Sequence, residues 1–491
     1  MLSTSTIQIL KSLSLKELKR FRDFIKSPYF NTTTALEKIF EVVLESRPNY
    51  DLDSLKYENI SKVIFPTGEY KEKRIRNLYS EFGNLLRKFL GYEEMQSYKN
   101  YELDILIADA MTRKNLFEIA EKFIHKSLLN NESSVIIDDL NDLYKHRILC
   151  STIMINTQEF KHSHFDRLRV NYEALVTQFM RNAFTNTDIY SSEYQTRSSD
   201  ELSTEKKNEF SFNDAYLQSL DINKFLNLLK QSNHKFYSYL KIHYMLYYFS
   251  SNSINNEQFY ELKNEIFKII PNIHKDDAYV MILRMHFIIC GKLLNTDKKF
   301  NNELFELGKF FCGLKIFPND SIVYMHLVFF TDLFTNAMIL KEYDWAEDFI
   351  NEFINYIGIE HRENEYNYCH GILNFKRGKF EESLNFFNEV KPLHITHKVS
   401  IRYYMLMNYI ELKAFESARS SVLALKEFKQ NQNKEIPDFI ERIMDSLKYF
   451  NEIIRCEEQG IKIDEMIYKE ANDGRNFTHK AYILEKMEKL K

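Results

Sequence analysis

The residues of this 491-residue chain that could do chemistry are its histidines, cysteines and acids, and none has a spacing typical of an active site. The closest histidine pairs are His394 with His397 and His162 with His164. Two imidazoles at i and i+3 on a helix could share a metal ion. Because His394 follows a proline at an expected turn, we interpret such pairs as surface histidines. The sequence therefore predicts no metal site.

Motifs for nucleotide binding and hydrolysis are also missing from the sequence. A Walker-type loop needs a glycine five residues before Gly291, where His286 stands. Neither Gly-x-Gly-x-x-Gly nor Gly-x-Ser-x-Gly occurs. Neighbouring acids such as Asp276 and Asp277 diverge by about 100° on a helix, so they are interpreted as solvated charges. We predict no catalytic residue, no cofactor and no enzyme activity.

The sparse use of turn residues predicts an all-α protein. Only 11 glycines and 7 prolines occur in the 491 residues, whereas average usage is about 7% Gly and about 5% Pro. Folds that contain β-sheets need more turn residues than this. Hydrophobic residues make up 44% of the chain, which is enough for packed cores and unlike a disordered composition.

Cysteine usage and hydropathy predict a cytoplasmic protein. The five cysteines are scattered along the chain without a Cys-x-x-Cys pair, as expected of reduced thiols. Residues 1–15 lack the continuous apolar stretch of a signal peptide. The best candidate for a membrane span, residues 322–340, contains Asp332 and several polar residues, and we predict no membrane contact.

A short pattern recurs four times: a small residue within an apolar run at helical spacing. The small residues are Ala120, Ala346, Ser383 and Ala418. The last three are separated by 37 and 35 residues, a period typical of two-helix repeats. One such pair cannot bury its own apolar face, so neighbouring pairs must stack. The pattern thus predicts an α-solenoid.

These segments resemble tetratricopeptide repeats (TPRs). In the best copy, residues 365–392, Gly371 fits the small residue at which the two helices approach each other, and Gly378 fits the turn between them. Ser383 and Phe387 fit the packing positions of the second helix. The resemblance implies a solenoid of degenerate TPR-like helix pairs, preceded by a small N-terminal helical unit.

The chain is expected to divide into four segments. Residues 1–97 form a unit of four helices, among them one that starts with a Ser14/Glu17 capping box, and residues 98–184 form the first TPR-like pairs. Residues 185–214 are polar and predict an exposed loop or linker, or a polar helix. Residues 215–491 form the C-terminal solenoid. The start of the chain also resembles that of some uncharacterised bacterial helical-repeat proteins.

The resemblance implies a binding groove on the concave side, because the first helix of each TPR-like pair faces that side. The residues expected to line the groove are Thr331, Thr335, Met338, Tyr368, Ile372, Phe375, Tyr403, Met407 and Ile410. This apolar and aromatic lining suits an extended or helical peptide. The expected function is a non-enzymatic scaffold that binds a protein or peptide partner. The sequence leaves open whether the chain itself fills the groove.

The alternative function is nucleic-acid binding by the N-terminal helices. Residues 1–92 hold 16 Lys and Arg against 11 Asp and Glu, whereas the remainder holds 50 against 59. The candidate contacts are Lys71, Lys73, Arg74 and Arg76. A basic helical unit before an acidic solenoid suits a nucleic-acid-binding regulator. Because acidic residues interrupt the basic patch, a protein partner is favoured over nucleic acid. The sequence does not predict an oligomeric state.

Overall fold

The computed structural model describes residues 2–47, 50, 53–66, 72–97, 101–130, 143, 146, 162–196, 215–294, 296–317, 325–391, 395–430, 438–474 and 477–491. Within these residues every regular element is a helix and no β-strand occurs. The all-α prediction is therefore confirmed for the described part of the chain. None of the described helices combines the length and apolar character needed to cross a bilayer. The chain divides into two compact units, Met1–Phe179 and Met180–Lys491.

The first unit begins with one more helix than the four predicted. The helices are α1 (Thr4–Ser12), α2 (Leu15–Lys26), α3 (Thr34–Glu45), α4 (Tyr57–Ile64) and α5 (Glu72–Ser97). The predicted capping box is present, since the Glu17 amide donates to Ser14 Oγ over 3.2 Å and the Ser14 amide donates to Glu17 Oε2 over 2.7 Å. The additional α1 contributes the buried Leu10 to the core that these helices share.

The predicted helix pair after this core is α6 (Tyr101–Arg113) and α7 (Phe117–Asn130), and the two helices pack together. The following helix, α8 (His162–Thr196), contains the boundary between the units. Residues up to Thr196 are helical, so helix rather than loop covers the start of the polar segment predicted at 185–214. The rest of that segment, 197–214, lies outside the described residues.

The second unit continues as a series of helices. They are α9 (Ile222–Gln231), α10 (Tyr237–Ser251), α11 (Asn256–Ile269), α12 (Lys275–Ile288), α13 (Phe300–Gly313), α14 (Leu327–Leu340), α15 (Tyr343–Phe353), α16 (Ile359–Lys376), α17 (Phe380–Glu389), α18 (Ile395–Glu411), α19 (Phe415–Gln430), α20 (Asp438–Gln459), α21 (Glu465–Asp473) and α22 (Lys480–Glu488). From α13 to α20 each helix packs against the next one. In addition, α14, α16, α18 and α20 pack against one another in that order.

The four copies of the sequence pattern share one local structure. Five residues before each small residue stands a residue in the left-handed region: Asn115 (φ 61°), Lys341 (φ 63°), Gly378 (φ 76°) and Lys413 (φ 56°). The next amide donates to the carbonyl five residues back, over 2.8–3.0 Å. This is the hydrogen bond of a Schellman turn. All four small residues are fully buried in the helix that follows. The pattern therefore encodes the same type of turn between consecutive helices four times.

The two helices of the best copy pack in close contact at Gly371. A Cβ atom at this position would lie 2.8 Å from the Phe387 ring, closer than side chains can approach. Ser383 Oγ donates to the Gly371 carbonyl over 2.7 Å. The absence of a side chain at residue 371 is thus what allows α16 and α17 to pack at this distance.

Candidate functional site

The structure buries most of the residues predicted to line the groove. Helices α14, α16 and α18 carry all nine. Thr335 is exposed, and Thr331 and Tyr368 are half-buried. The other six are at most 6% exposed: Met338, Ile372, Phe375, Tyr403, Met407 and Ile410. These six side chains are therefore not accessible to a partner, a point that the sequence left open.

The C-terminal part of the chain covers the predicted groove on α16 and α18. The Tyr403 hydroxyl donates to the Thr478 carbonyl over 2.9 Å and lies 2.8 Å from Ser446 Oγ. The ring of Phe375 lies 5.8 Å from that of Tyr482 on α22. Residues of the C-terminal part of the chain therefore cover Tyr403 and Phe375.

Polar contacts hold α22 against α18. Lys486 Nζ donates to Glu411 Oε2 over 2.7 Å, and the Tyr482 hydroxyl donates to Glu411 Oε1 over 2.8 Å. Burial, with a smaller effect of the Lys376 charge, lowers the pKa of His479 to about 3. His479 is therefore neutral at physiological pH and packs as an aromatic ring against Tyr403, with ring centroids 5.5 Å apart.

A buried carboxyl group, that of Glu365, lies on α16. The residue is 5% exposed, and its Oε2 finds no hydrogen-bond partner among the described residues. Burial raises the pKa of Glu365 from 4.5 to about 7. The carboxyl is therefore partly protonated near neutral pH, and its ionised form destabilises the fold.

We expect Glu365→Gln to stabilise the protein at pH 8 but not at pH 4. The folded-state pKa of about 7 exceeds the unfolded value of 4.5, so the native state binds the proton more tightly. The stability that this tighter proton binding gives the folded state is fully present below pH about 4.5 and is lost as the pH rises through about 7. A neutral amide avoids this loss, which amounts to about 3 kcal/mol. Thermal unfolding at both pH values measures the difference, with the exposed Glu363→Gln as control; an equal gain at both would contradict the assignment.

Two residues predicted to line the groove, Thr331 and Thr335 on α14, share a helix face with two exposed aliphatic residues, Val328 and Ile339. We call these four residues the α14 face. These residues are spaced three or four apart and so lie on one side of the helix. Val328 is 46% and Ile339 is 59% exposed. The α14 face is therefore a strip of two aliphatic side chains separated by threonine hydroxyls.

A polar cluster lies beside the α14 face and joins the end of α12 to α14. His286 Nε2 lies 2.9 Å from Asp332 Oδ2. Cys290 completes the cluster, and one ligand atom from each of His286, Cys290 and Asp332 falls within 4.8 Å of the others. Burial, together with the charge of Asp332, raises the pKa of the Cys290 thiol, so this cysteine is not an activated nucleophile.

The backbone at Cys290 departs from the α-helix. Residues Ile289–Leu293 form a π-helical turn, in which the Leu294 amide donates to the Ile289 carbonyl over 3.0 Å. Such turns are rare and occur frequently at functional sites. Cys290 therefore projects from an irregular segment that follows directly on the helix carrying His286.

The basic residues proposed to contact nucleic acid are only partly placed. Lys71 lies outside the described residues, and Lys73 is exposed at the start of α5. The Arg74 guanidinium stacks over the Phe65 ring at 4.2 Å, and Arg76 donates to Glu72 over 2.6 Å. Two of the described cations thus contact side chains of their own unit.

One residue interpreted as a solvated surface charge is buried. Asp277, only 7% exposed, pairs with Arg181 and accepts a 2.8 Å hydrogen bond from the Tyr239 hydroxyl. Its neighbour Asp276 is exposed. His397, interpreted as a surface residue, is also buried and packs against the Tyr368 ring.

No sequence motif indicates the His286–Cys290–Asp332 cluster. His286 and Cys290 are four residues apart, but Asp332 follows 42 residues after Cys290 and matches no ligand motif. A search for closely spaced histidine or cysteine pairs does not detect a cluster of one histidine, one cysteine and one distant aspartate. Comparison of the chain with protein-family models, with curated proteins and with solved structures found no match.

Proposed function

We propose that this protein is a non-enzymatic scaffold that binds a protein or peptide partner on the α14 face. The observation that carries the proposal is the exposure of Val328 and Ile339, at 46% and 59%, on a helix assigned to the groove by the TPR resemblance. Apolar side chains framed by polar ones are typical of protein-interaction surfaces. Unlike the groove on α16 and α18, this surface is accessible without displacement of the C-terminal helices.

We further propose that the second unit is a solenoid of degenerate TPR-like helix pairs. Two observations support this: the same Schellman turn recurs in the three copies of the pattern that lie in this unit, and helices α14, α16, α18 and α20 pack in chain order. Nearest-neighbour packing of this kind is what a repeat architecture requires. In this proposal, α22 and the helices before it cap the last pairs.

A cytoplasmic location is part of the same proposal. The four cysteines in the described part of the chain, Cys290, Cys312, Cys369 and Cys456, are free thiols. Reduced thiols are expected in a reducing compartment. Their burial or half-burial agrees with a role as small packing residues.

The test uses the full chain as bait for affinity purification and mass spectrometry. The double variant Val328→Asp/Ile339→Asp is expected to lose the partner, because a charge at the centre of an apolar contact costs about 2 kcal/mol or more in binding. Its melting temperature should stay near that of the wild type, because exposed substitutions usually cost within about 0.5 kcal/mol each.

The matched control is Leu423→Asp on α19, since Leu423 is 59% exposed, as is Ile339. This variant should keep the partner. Retention by the double variant, or equal loss by the control, would refute the α14 face as the binding surface. Parallel purifications with nuclease address the alternative function. Partners that disappear with nuclease and with Lys73→Glu would favour nucleic-acid binding.

A further inference from the structure

We propose that His286, Cys290 and Asp332 bind a divalent cation with the ligand preferences of Zn²⁺, which joins the end of α12 to α14. In the described part of the chain this is the one place where three side chains capable of metal ligation converge, with ligand atoms within 4.8 Å of one another. The proposal rests on this geometry alone and does not depend on the function proposed for the α14 face.

The chemistry of the three groups selects the kind of cation. Thiolate sulfur, imidazole nitrogen and carboxylate oxygen are the ligand types that Zn²⁺ takes in proteins. Mg²⁺ and Ca²⁺ take oxygen ligands almost exclusively, so a site with one sulfur and one nitrogen disfavours them. Three protein ligands leave a fourth tetrahedral position for a water molecule.

Binding of the cation requires two protons of the cluster to move. A carboxylate only accepts hydrogen bonds, so His286 Nε2 carries the proton in its 2.9 Å contact with Asp332. On metal binding this proton moves to His286 Nδ1, a buried atom with no hydrogen-bond partner among the described residues. The Cys290 thiol releases its proton to solvent, and the sulfur becomes a ligand. One proton is released for each cation bound.

The surroundings hold the ligands in place and leave access from solvent. The His286 ring is fully buried and packs against the Phe329 ring, with centroids 4.9 Å apart. Cys290 and Asp332 are half-buried. A cation can therefore approach from the side of Cys290 and Asp332 and meet an imidazole whose orientation the core has already set.

Cobalt titration of the full chain tests the site. Protein treated with a chelator and kept reduced by a phosphine is titrated with Co²⁺. We expect one equivalent to bind, with intense visible absorption of four-coordinate cobalt and a thiolate-to-cobalt charge-transfer band. Zn²⁺ added afterwards should abolish both signals. Cys290→Ser should remove the charge-transfer band, and Asp332→Asn should weaken binding by about 100-fold.

Cys312→Ser is the matched control, because Cys312 is also a free, half-buried thiol but lies outside the cluster. It should behave as the wild type. The proposal fails if the wild type shows no cobalt bands, if Cys290→Ser keeps the charge-transfer band, or if Cys312→Ser loses it. Circular dichroism checks that each variant is folded. Should Cys290→Ser not fold, Asp332→Asn decides, since wild-type affinity in that half-exposed variant would overturn the site.

Discussion

Tyr403→Ala is expected to lower the free energy of unfolding by about 3–5 kcal/mol, as large-to-small changes of buried aromatic residues do. Tyr403 is 1% exposed, and its ring packs edge to face against Phe450 at 5.4 Å. The substitution removes these contacts together with the hydrogen bonds to Ser446 Oγ and to the Thr478 carbonyl. The expected cost is a large part of the stability of a typical domain, about 5–15 kcal/mol.

Thermal or urea unfolding of the full chain measures this effect. The control is Thr335→Ala, at a residue assigned by the sequence to the same groove but exposed in the structure. Its cost should stay within about 0.5 kcal/mol. Phe387→Ala, a core substitution in α17, provides the reference for a buried aromatic ring. If Tyr403→Ala melts like Thr335→Ala and not like Phe387→Ala, the C-terminal helices do not cover Tyr403 in solution.

Asp277→Ala is expected to destabilise the second unit by a similar amount, about 3–5 kcal/mol. Asp277 is the carboxylate partner of Arg181, and both side chains are about nine-tenths buried, with 9% and 10% exposure. The substitution leaves the guanidinium without this anion in a poorly solvated site and takes the acceptor from the Tyr239 hydroxyl. A buried charge that loses its partner is far more costly than the intact pair is favourable.

The adjacent Asp276→Ala separates this effect from the loss of an acid at the start of α12. Asp276 stands in the same first turn but is exposed, so its loss should cost less than about 1 kcal/mol. A double variant, Arg181→Met/Asp277→Leu, removes both charges and should recover much of the stability. Unfolding monitored by circular dichroism compares the three proteins. Equal costs for Asp276→Ala and Asp277→Ala would show that the buried pair contributes nothing.

Local signals in the sequence predicted the helices well, because helix formation depends on neighbouring residues. The Ser14/Glu17 capping box is present as predicted. Each of the four copies of the small-residue pattern forms a turn of the same Schellman type. The helix pair around Asn115 also formed where the pattern placed it. In each case the determining contacts lie within a few residues along the chain. Helix α1 was not predicted, because it is only nine residues long and contains few apolar residues.

The burial of individual side chains and the partners of buried charges could not be predicted in the same way. Helical periodicity places Tyr403 and Met407 on one face of α18, and both are buried; Tyr403 contacts Thr478, which lies 75 residues later in the chain. The same limit applies to Asp277, whose partner Arg181 lies 96 residues earlier. Periodicity shows which side chains share a face but not which distant segment covers it.

By itself, the amino-acid sequence determined an all-α chain, the places of its recurring turns and the small residues that let paired helices approach, since capping, glycine and helical periodicity act locally. Only the tertiary structure decided that α22 packs over α18, that Val328 and Ile339 stay exposed on α14, and that Asp332 meets His286 and Cys290. These outcomes depend on contacts between residues tens of positions apart. Their geometry follows from how the helices pack, which no local pattern specifies.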